Sequence, residues 1–300
     1  MTLLEGKIAA KNISLRLTDK VSFLLNKQLR PPHLVAILIG NNGASETYVA
    51  SKIKNCIEIG FRSTLLRFEE NISENELLTN IFKLNEDAEV DGILVQLPLP
   101  KHINDQKVIN AISPDKDVDG FHPVNIGKLV QGEPTFISAT PYGIILLLQH
   151  YNIDTKGKHV VIIGRSNIVG KPISILLSSN KPYGNATVTL CHSHTTNIKE
   201  LSLQADILIA ALGKPEFVKA DMVKDGAVVI DVGITRIPDT TAKKGFRIKG
   251  DVSFNEVAPK TSYITPVPGG VGLMTIAALL TNTMHAYLMR NNLSKDFFNK

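Results

Sequence analysis

The sequence predicts an α/β protein of two domains, one built from βαβ units and one from a Rossmann-like dinucleotide-binding unit with a mostly parallel sheet. Three observations predict it. Short apolar runs alternate with stretches of helical periodicity along the chain, the pattern of strands joined by crossover helices. One of those runs passes straight into a glycine-bearing turn and a second helix, as a nucleotide-binding strand does. The chain is 300 residues long, room for about two domains of roughly 150 residues each.

In chain order, Leu34–Ile39 reads as a buried strand and Ala44–Gly60 as a helix stopped at glycine. Ser63–Phe68 is a second strand, and Ser73-x-x-Glu76 fits a capping box opening the next helix. Gly92–Leu97 is a third strand, closed by Pro98 and Pro100, which have no N–H for a ladder. Ser113–Asn125, dense in Asp, Pro and Gly, is a loop. Thr140-Pro141 supplies a capping hydroxyl and a first-turn proline for a helix to about Tyr151. His159–Ile163, Ala186–Cys191, Asp206–Ala210 and Ala227–Val232 are the strands of the second unit, with helices near Gly170–Ser179 and Asn197–Leu203. Ser262–Thr265 adds a strand, and a final helix over Val271–Arg290 has an apolar face to pack back on the first domain. The expected division is 1–140, completed by 270–300, and 141–269.

Composition excludes several function classes. At 43% hydrophobic and 20% charged the chain can bury substantial cores, which argues against global disorder. No continuous apolar run approaches the roughly 18 residues of a membrane span. The start, Met-Thr-Leu-Leu-Glu-Gly-Lys, has an acid where a secretory signal is basic, so a cytoplasmic protein is the expectation. The net charge of +5, from 33 basic and 28 acidic residues, is dispersed, Lys243-Lys244 being the one adjacent basic pair. Nucleic-acid binders concentrate charge in a patch, so no nucleic-acid partner is expected. Two cysteines, Cys56 and Cys191, give no metal-ligand spacing and no disulfide framework; both read as reduced core thiols, and no metal is expected.

Val160–Ile163 is a continuous apolar run followed by Gly164-Arg165-Ser166-x-x-x-Gly170. Backbone amides at such a turn and helix start can hold phosphate oxygens. The match to G-x-G-x-x-G is incomplete, because Ser166 replaces the second glycine. Readers of NAD place an acid about 20 residues on, against the ribose 2′-hydroxyl. Between Arg165 and Lys199 this chain has no acid, and the following strand ends Cys191-His192-Ser193-His194. A guanidinium, a hydroxyl and an imidazole suit a 2′-phosphate, so NADP is favoured over NAD.

On the first helix Val49, Ile53 and Ile57 recur every four residues as an apolar face, with Cys56 beside it. Tyr48, Lys52 and Asn55 share one flank. An amine beside buried surface loses hydration, which lowers its pKa and suits it to proton transfer near neutral pH. Gln96 stands near the carboxyl end of a parallel strand, where α/β sites collect. Asp117, Asp119 and His122 follow in the loop. Pro266-Val-Pro-Gly-Gly-Val-Gly272 opens the last helix, and its glycines and amides allow close approach of a ligand.

As a set these segments resemble the bifunctional methylenetetrahydrofolate dehydrogenase/cyclohydrolase family over nearly the whole chain. They are Ala44-Ser45-x-x-Tyr48-Val49-x-x-Lys52, Asp91-Gly92-Ile-Leu-Val-Gln96-Leu-Pro-Leu-Pro100, Lys116-Asp-Val-Asp119-Gly-Phe-His-Pro123, Gly164-Arg-Ser-Asn-Ile-Val-Gly-Lys-Pro172 and the Pro266–Gly272 segment. The resemblance implies oxidation of 5,10-methylenetetrahydrofolate with NADP, then hydrolysis of the methenyl product to 10-formyltetrahydrofolate, by a homodimer. It implies Lys52 as the central catalytic residue, Gln96 as its hydrogen-bonding partner, Tyr48 stacked on the folate and Asp119 on the pterin. Gly164, Arg165, Ser166, Ser193 and Ile234 would line the cofactor, and Pro268, Gly269 and Gly270 the substrate. The chain departs from the family pattern twice. Leu273 stands where proline is usual, freeing an N–H and loosening the turn, and His194 stands where a basic residue is common. Two other readings stay open on the residues alone: a two-domain NAD(P) dehydrogenase of a small hydroxy acid or polyol, and a non-catalytic nucleotide-binding regulator.

Overall fold

The structure is a computed structural model that describes residues 1–242, 245–294 and 297; Lys243 and Lys244 lie outside the described residues. The chain forms two compact units, residues 1–11 with 140–278, and residues 12–139 with 279–300. The division falls within two long helices, α1 (Gly6–Asn26) and α10 (Val271–Arg290).

In the unit of residues 12–139, β2 (His33–Ile39) lies between β3 (Arg62–Phe68) and β4 (Gly92–Val95), all parallel. Each crossover carries a helix, α2 (Gly43–Glu58) and α3 (Glu74–Glu86). β2 is buried at every position, the continuous apolar type of a strand covered on both faces. Asn42 caps α2, its side chain accepting from the Ala44 and Ser45 N–H groups at 3.0 and 3.1 Å. Ser73 Oγ accepts from the Glu76 N–H at 3.2 Å, the first half of the expected capping box. Two short helices follow, α4 (Asp105–Ala111) and α5 (Pro123–Gln131); the latter falls partly in the segment read as loop. Val35, Ile37, Leu77, Ile81, Ile93 and Val108 anchor this core.

The other unit holds a six-stranded, wholly parallel sheet. Its strands are β1 (Thr2–Leu3), β5 (His159–Ile163), β6 (Thr187–Cys191), β7 (Ile207–Ala210), β8 (Val228–Asp231) and β11 (Tyr263–Ile264), in the order β1-β11-β8-β7-β5-β6. Its helices are α6 (Ala139–His150), α7 (Gly170–Ser178), α8 (Ile198–Ser202) and α9 (Phe254–Val257). α6 begins one residue before the expected cap, so Thr140 lies inside the first turn and its hydroxyl bonds that of Thr275 at 3.1 Å. An antiparallel hairpin, β9 (Thr235–Pro238) and β10 (Phe246–Lys249), projects after β8. α10 is long and apolar enough to cross a membrane by length and composition, yet 78% of its most apolar window is buried inside the protein. The architecture is α/β in two units.

Candidate active site

In the unit of residues 12–139, the candidate side chains come from α2, the end of β4 and the loop after α4. The buried residues of α2 are Ser45, Val49, Lys52 and Cys56. This corrects the apolar face read as Val49, Ile53 and Ile57: Ile57 is 63% exposed, whereas Lys52 is 4% exposed. The helix is rotated toward the amine, so Lys52 occupies the middle of the buried stripe and not its flank. Asn55 is turned to its own helix, bonding the Ser51 carbonyl at 2.8 Å.

Lys52 Nζ donates to Gln96 Oε1 at 3.3 Å and stands 4.6 Å from the centroid of the Tyr48 ring. Gln96 lies one residue past β4, where its N–H still bonds the Ile37 carbonyl at 2.9 Å and its amide donates to the Leu97 carbonyl at 2.7 Å. The side-chain oxygen is therefore left to face the amine. Burial pushes the Lys52 amine below the ordinary lysine range, and the nearby Asp119 charge only partly opposes this. Burial also raises Asp119, to about 6, against the pull of Lys52. The same cause raises the Cys56 thiol to about 12. Cys56 and Cys191 are both free and buried.

The Asp119 loop is fixed from several sides. Segment 116–119 runs beside β4, the Ile93 N–H donating to the Lys116 carbonyl at 2.8 Å. Asp117 accepts from the Phe121 and His122 N–H groups at 3.2 and 2.8 Å and from Asn125 Nδ2 at 2.8 Å. Gly120 adopts φ +70, and a Cβ there would lie 2.6 Å from Ile137 and Ser138 backbone atoms. Asn282 of α10 donates to the Val118 and Ile137 carbonyls at 2.8 and 2.9 Å. His122 is turned away to cap α5, its Nδ1 accepting from the Val124 N–H at 3.1 Å.

In the unit with the six-stranded sheet, the strand–turn–helix at Gly164 is built from backbone. Gly164 has φ +127, and a Cβ on it would meet the Ala211 carbonyl oxygen at 2.1 Å; one on Gly170 would meet the Gly164 oxygen at 1.9 Å. Only glycine fits either position. Ser166 Oγ accepts from the Val169 and Gly170 N–H groups at 3.1 and 3.4 Å, doing for α7 what no side chain at Val169 does. Arg165 and Ser166 are exposed. Ser193 follows β6, whose Cys191 is in register with Ile163, so both sequence-predicted segments reach the carboxyl edge of adjacent strands. The Ser193 turn is closed by the Thr195 N–H on the His192 carbonyl at 2.9 Å, and the His194 N–H bonds His192 Nδ1 at 3.2 Å. Ile234, 62% exposed, starts the hairpin three residues past β8.

Pro268, Gly269 and Gly270 form the turn before α10, with Gly269 at φ +115 and Gly270 buried. The Leu273 N–H is not left free as expected: it bonds the Gly270 carbonyl at 3.3 Å and closes the first turn. Two buried carboxylates at the same sheet edge, Asp231 and Asp251, are absent from the sequence-predicted site. An Asp at the carboxyl end of the Ala227–Val232 strand is the signal that could have found Asp231.

A parallel sheet whose strand β5 feeds a glycine-only turn, in a chain that also holds a desolvated lysine, defines a dinucleotide-dependent α/β enzyme, and the glycine cradle fits a nucleotide phosphate. Residues 4–119 match the model of the tetrahydrofolate dehydrogenase/cyclohydrolase catalytic domain, and residues 138–291 that of the same family's NAD(P)-binding domain. The Bifunctional protein FolD of Porphyromonas gingivalis is 59% identical over 284 residues, 95% of this chain and 96% of that one. Among solved structures, the bifunctional FolD enzyme of Campylobacter jejuni is 48% identical with a TM-score of 0.90, covering 97% of this chain and 99% of that one. The Trypanosoma brucei enzyme, solved with NADP and an inhibitor, is 36% identical with a TM-score of 0.92 and covers 96% and 98%. The chain belongs to the tetrahydrofolate dehydrogenase/cyclohydrolase family of one-carbon metabolism.

Proposed function

We propose that this chain oxidises 5,10-methylenetetrahydrofolate with NADP and hydrolyses the methenyl product to 10-formyltetrahydrofolate, with Lys52 as the central catalytic residue. The observation that carries this is the buried Lys52 amine held by Gln96 Oε1 at 3.3 Å. Hydride loss leaves a cationic methenyl bridge, beside which an ammonium is repelled. An amine that burial keeps largely neutral avoids that repulsion. It can then take the proton of the attacking water as the new C–O bond forms at the bridge carbon. The C–N5 bond breaks afterwards and N5 takes up a proton. Gln96 holds the amine without adding charge. Tyr48, one turn before Lys52, stacks on the folate, Asp119 as a carboxylate accepts from the pterin N–H groups, and Pro268, Gly269 and Gly270 border the substrate.

When bound, the nicotinamide supplies the hydride acceptor. The Gly164 turn, Arg165, Ser166, Ser193 and Ile234 would hold the cofactor, and Arg165 with Ser193 would meet a 2′-phosphate, no carboxylate lying between Arg165 and Lys199. Folate chemistry is assigned to residues 1–140 with 270–300 and cofactor binding to 141–269. A cytoplasmic homodimer completes the reading; two free buried thiols suit a reducing compartment. The test is an absorbance assay for the methenyl product with methylenetetrahydrofolate, run in parallel with NADP and NAD. Product with NADP, and less with NAD, is the expected result. Cofactor binding without product would favour a dehydrogenase of another small substrate.

A further inference from the structure

Two buried carboxylates in the unit with the six-stranded sheet have no part in the reaction as described. Asp231 ends β8 and Asp251 follows β10 by two residues; they are 4% and 0% exposed. Together they accept five backbone N–H groups. Asp231 Oδ1 takes those of Gly233 and Asp251 at 2.9 and 2.8 Å, and its Oδ2 that of Val252 at 3.0 Å. Asp251 Oδ2 takes those of Leu212 and Gly213 at 2.6 and 2.9 Å. Asp251 Oδ1 is buried with no partner. Burial raises Asp231 to about 6, and the Asp251 charge adds to the shift.

Burying two carboxylates without a cation is costly, so what they hold is informative. The backbone is drawn tightly onto them: a Cβ on Gly250 would lie 1.8 Å from Asp231 Oδ2, and one on Gly233 2.5 Å from Asp251 Oδ1. The segment Asp251 grips, Ala211–Gly213, is the one that closes on the Gly164 turn. Its Ala211 N–H bonds the Ile163 carbonyl at 2.9 Å, and its Ala211 carbonyl is the atom a Cβ on Gly164 would strike. The segment Asp231 grips leads from β8 to Ile234, and the Asp231 N–H also bonds Thr265 Oγ1 at 2.7 Å, just before Pro266.

We infer that Asp251 and Asp231 are positioning residues for cofactor binding. Asp251 sets Ala211–Gly213 against the Gly164 turn, and Asp231 sets the start of the hairpin that carries Ile234. The inference rests on the reading of the Gly164 turn as the cofactor site.

Calorimetric titration with NADP tests it on Asp251→Ala and Asp251→Asn. Asparagine keeps one oxygen for the Leu212 and Gly213 N–H groups, whereas alanine keeps none. The expected result is an NADP Kd at least tenfold higher for Asp251→Ala and within about threefold of wild type for Asp251→Asn. The KM for NADP should follow the Kd, while kcat at saturating NADP changes less than threefold. Hydrogen exchange of the wild-type peptide spanning 211–213 gives a readout that does not depend on a variant folding: the Leu212 and Gly213 amides should be protected before any ligand is added. Wild-type NADP affinity in Asp251→Ala, an asparagine variant as weak as the alanine one, or fast exchange at 212 and 213 would each overturn the inference while leaving the cofactor site standing. A wild-type protein that does not bind NADP would overturn both.

Discussion

The lysine centre and the Gly164 turn solve opposite problems with opposite materials. At Lys52 a charged side-chain type is placed in the middle of a buried stripe, so that loss of hydration favours its neutral form. At Gly164 side chains are excluded, so that backbone can close directly on backbone. The first region depends on what surrounds one atom. The second depends on what two residues lack. Chemistry and cofactor binding should therefore fail separately.

The largest effect should come from Lys52→Met. Losing a positioned acid–base group costs about 10²- to 10⁴-fold, so methenyl hydrolysis should drop by that order while the NADP Kd moves less than about twofold. A parallel loss of NADP binding would merge the two regions into one. Next comes Gly164→Ala, where a Cβ 2.1 Å from the Ala211 oxygen forces overpacking of about 1–3 kcal/mol. Its NADP Kd should rise more than tenfold, with methenyl hydrolysis largely kept.

A third test uses pH. Burial pushes the Asp119 carboxyl up to about 6, and under the proposed role only its carboxylate would accept from the pterin. In wild type, kcat/KM for the folate substrate should fall as pH drops through about 6; Asp119→Asn should lack that limb. The stability effect has the reverse sense. A carboxyl whose folded pKa is raised is favoured in its neutral form, so its stabilising contribution is present at low pH and is lost as pH rises through about 6. Asp119→Asn should therefore raise the melting temperature more at pH 8 than at pH 4. The smallest effect is expected of His194→Arg, on an exposed turn, which should lower the KM for NADP about threefold. No change would remove His194 from the 2′-phosphate site.

Much of this was readable before the structure because it rests on local rules. The Gly164 turn, Gly269 and the helix over Val271–Arg290 follow from steric exclusion and from periodicity, and they stand where the sequence puts them. The chain's helical start was not readable. In α1 the buried positions Ala9, Ile13, Leu17, Val21 and Leu24 alternate with exposed Ile8, Leu15 and Leu25, which blurs the stripe. α5 hides behind a histidine cap and the turn residues before it. On α2 three β-branched residues mimicked a core face, and only packing shows that Lys52 and not Ile57 is inside. Asp251 was out of reach for a related reason: a carboxylate that serves distant backbone, the Leu212 and Gly213 N–H groups, looks in sequence like any other.

The Asn282 amide, which bonds the carbonyls of Val118 and Ile137, also sets an order of events in synthesis. The loop bearing Asp119 emerges from the ribosome early, yet two of its anchors wait on a residue made more than half the chain later. The Lys52 and Gln96 pair is thus synthesised long before the Asp119 loop can be tied down, and premature termination ahead of that amide should leave the loop without those two bonds.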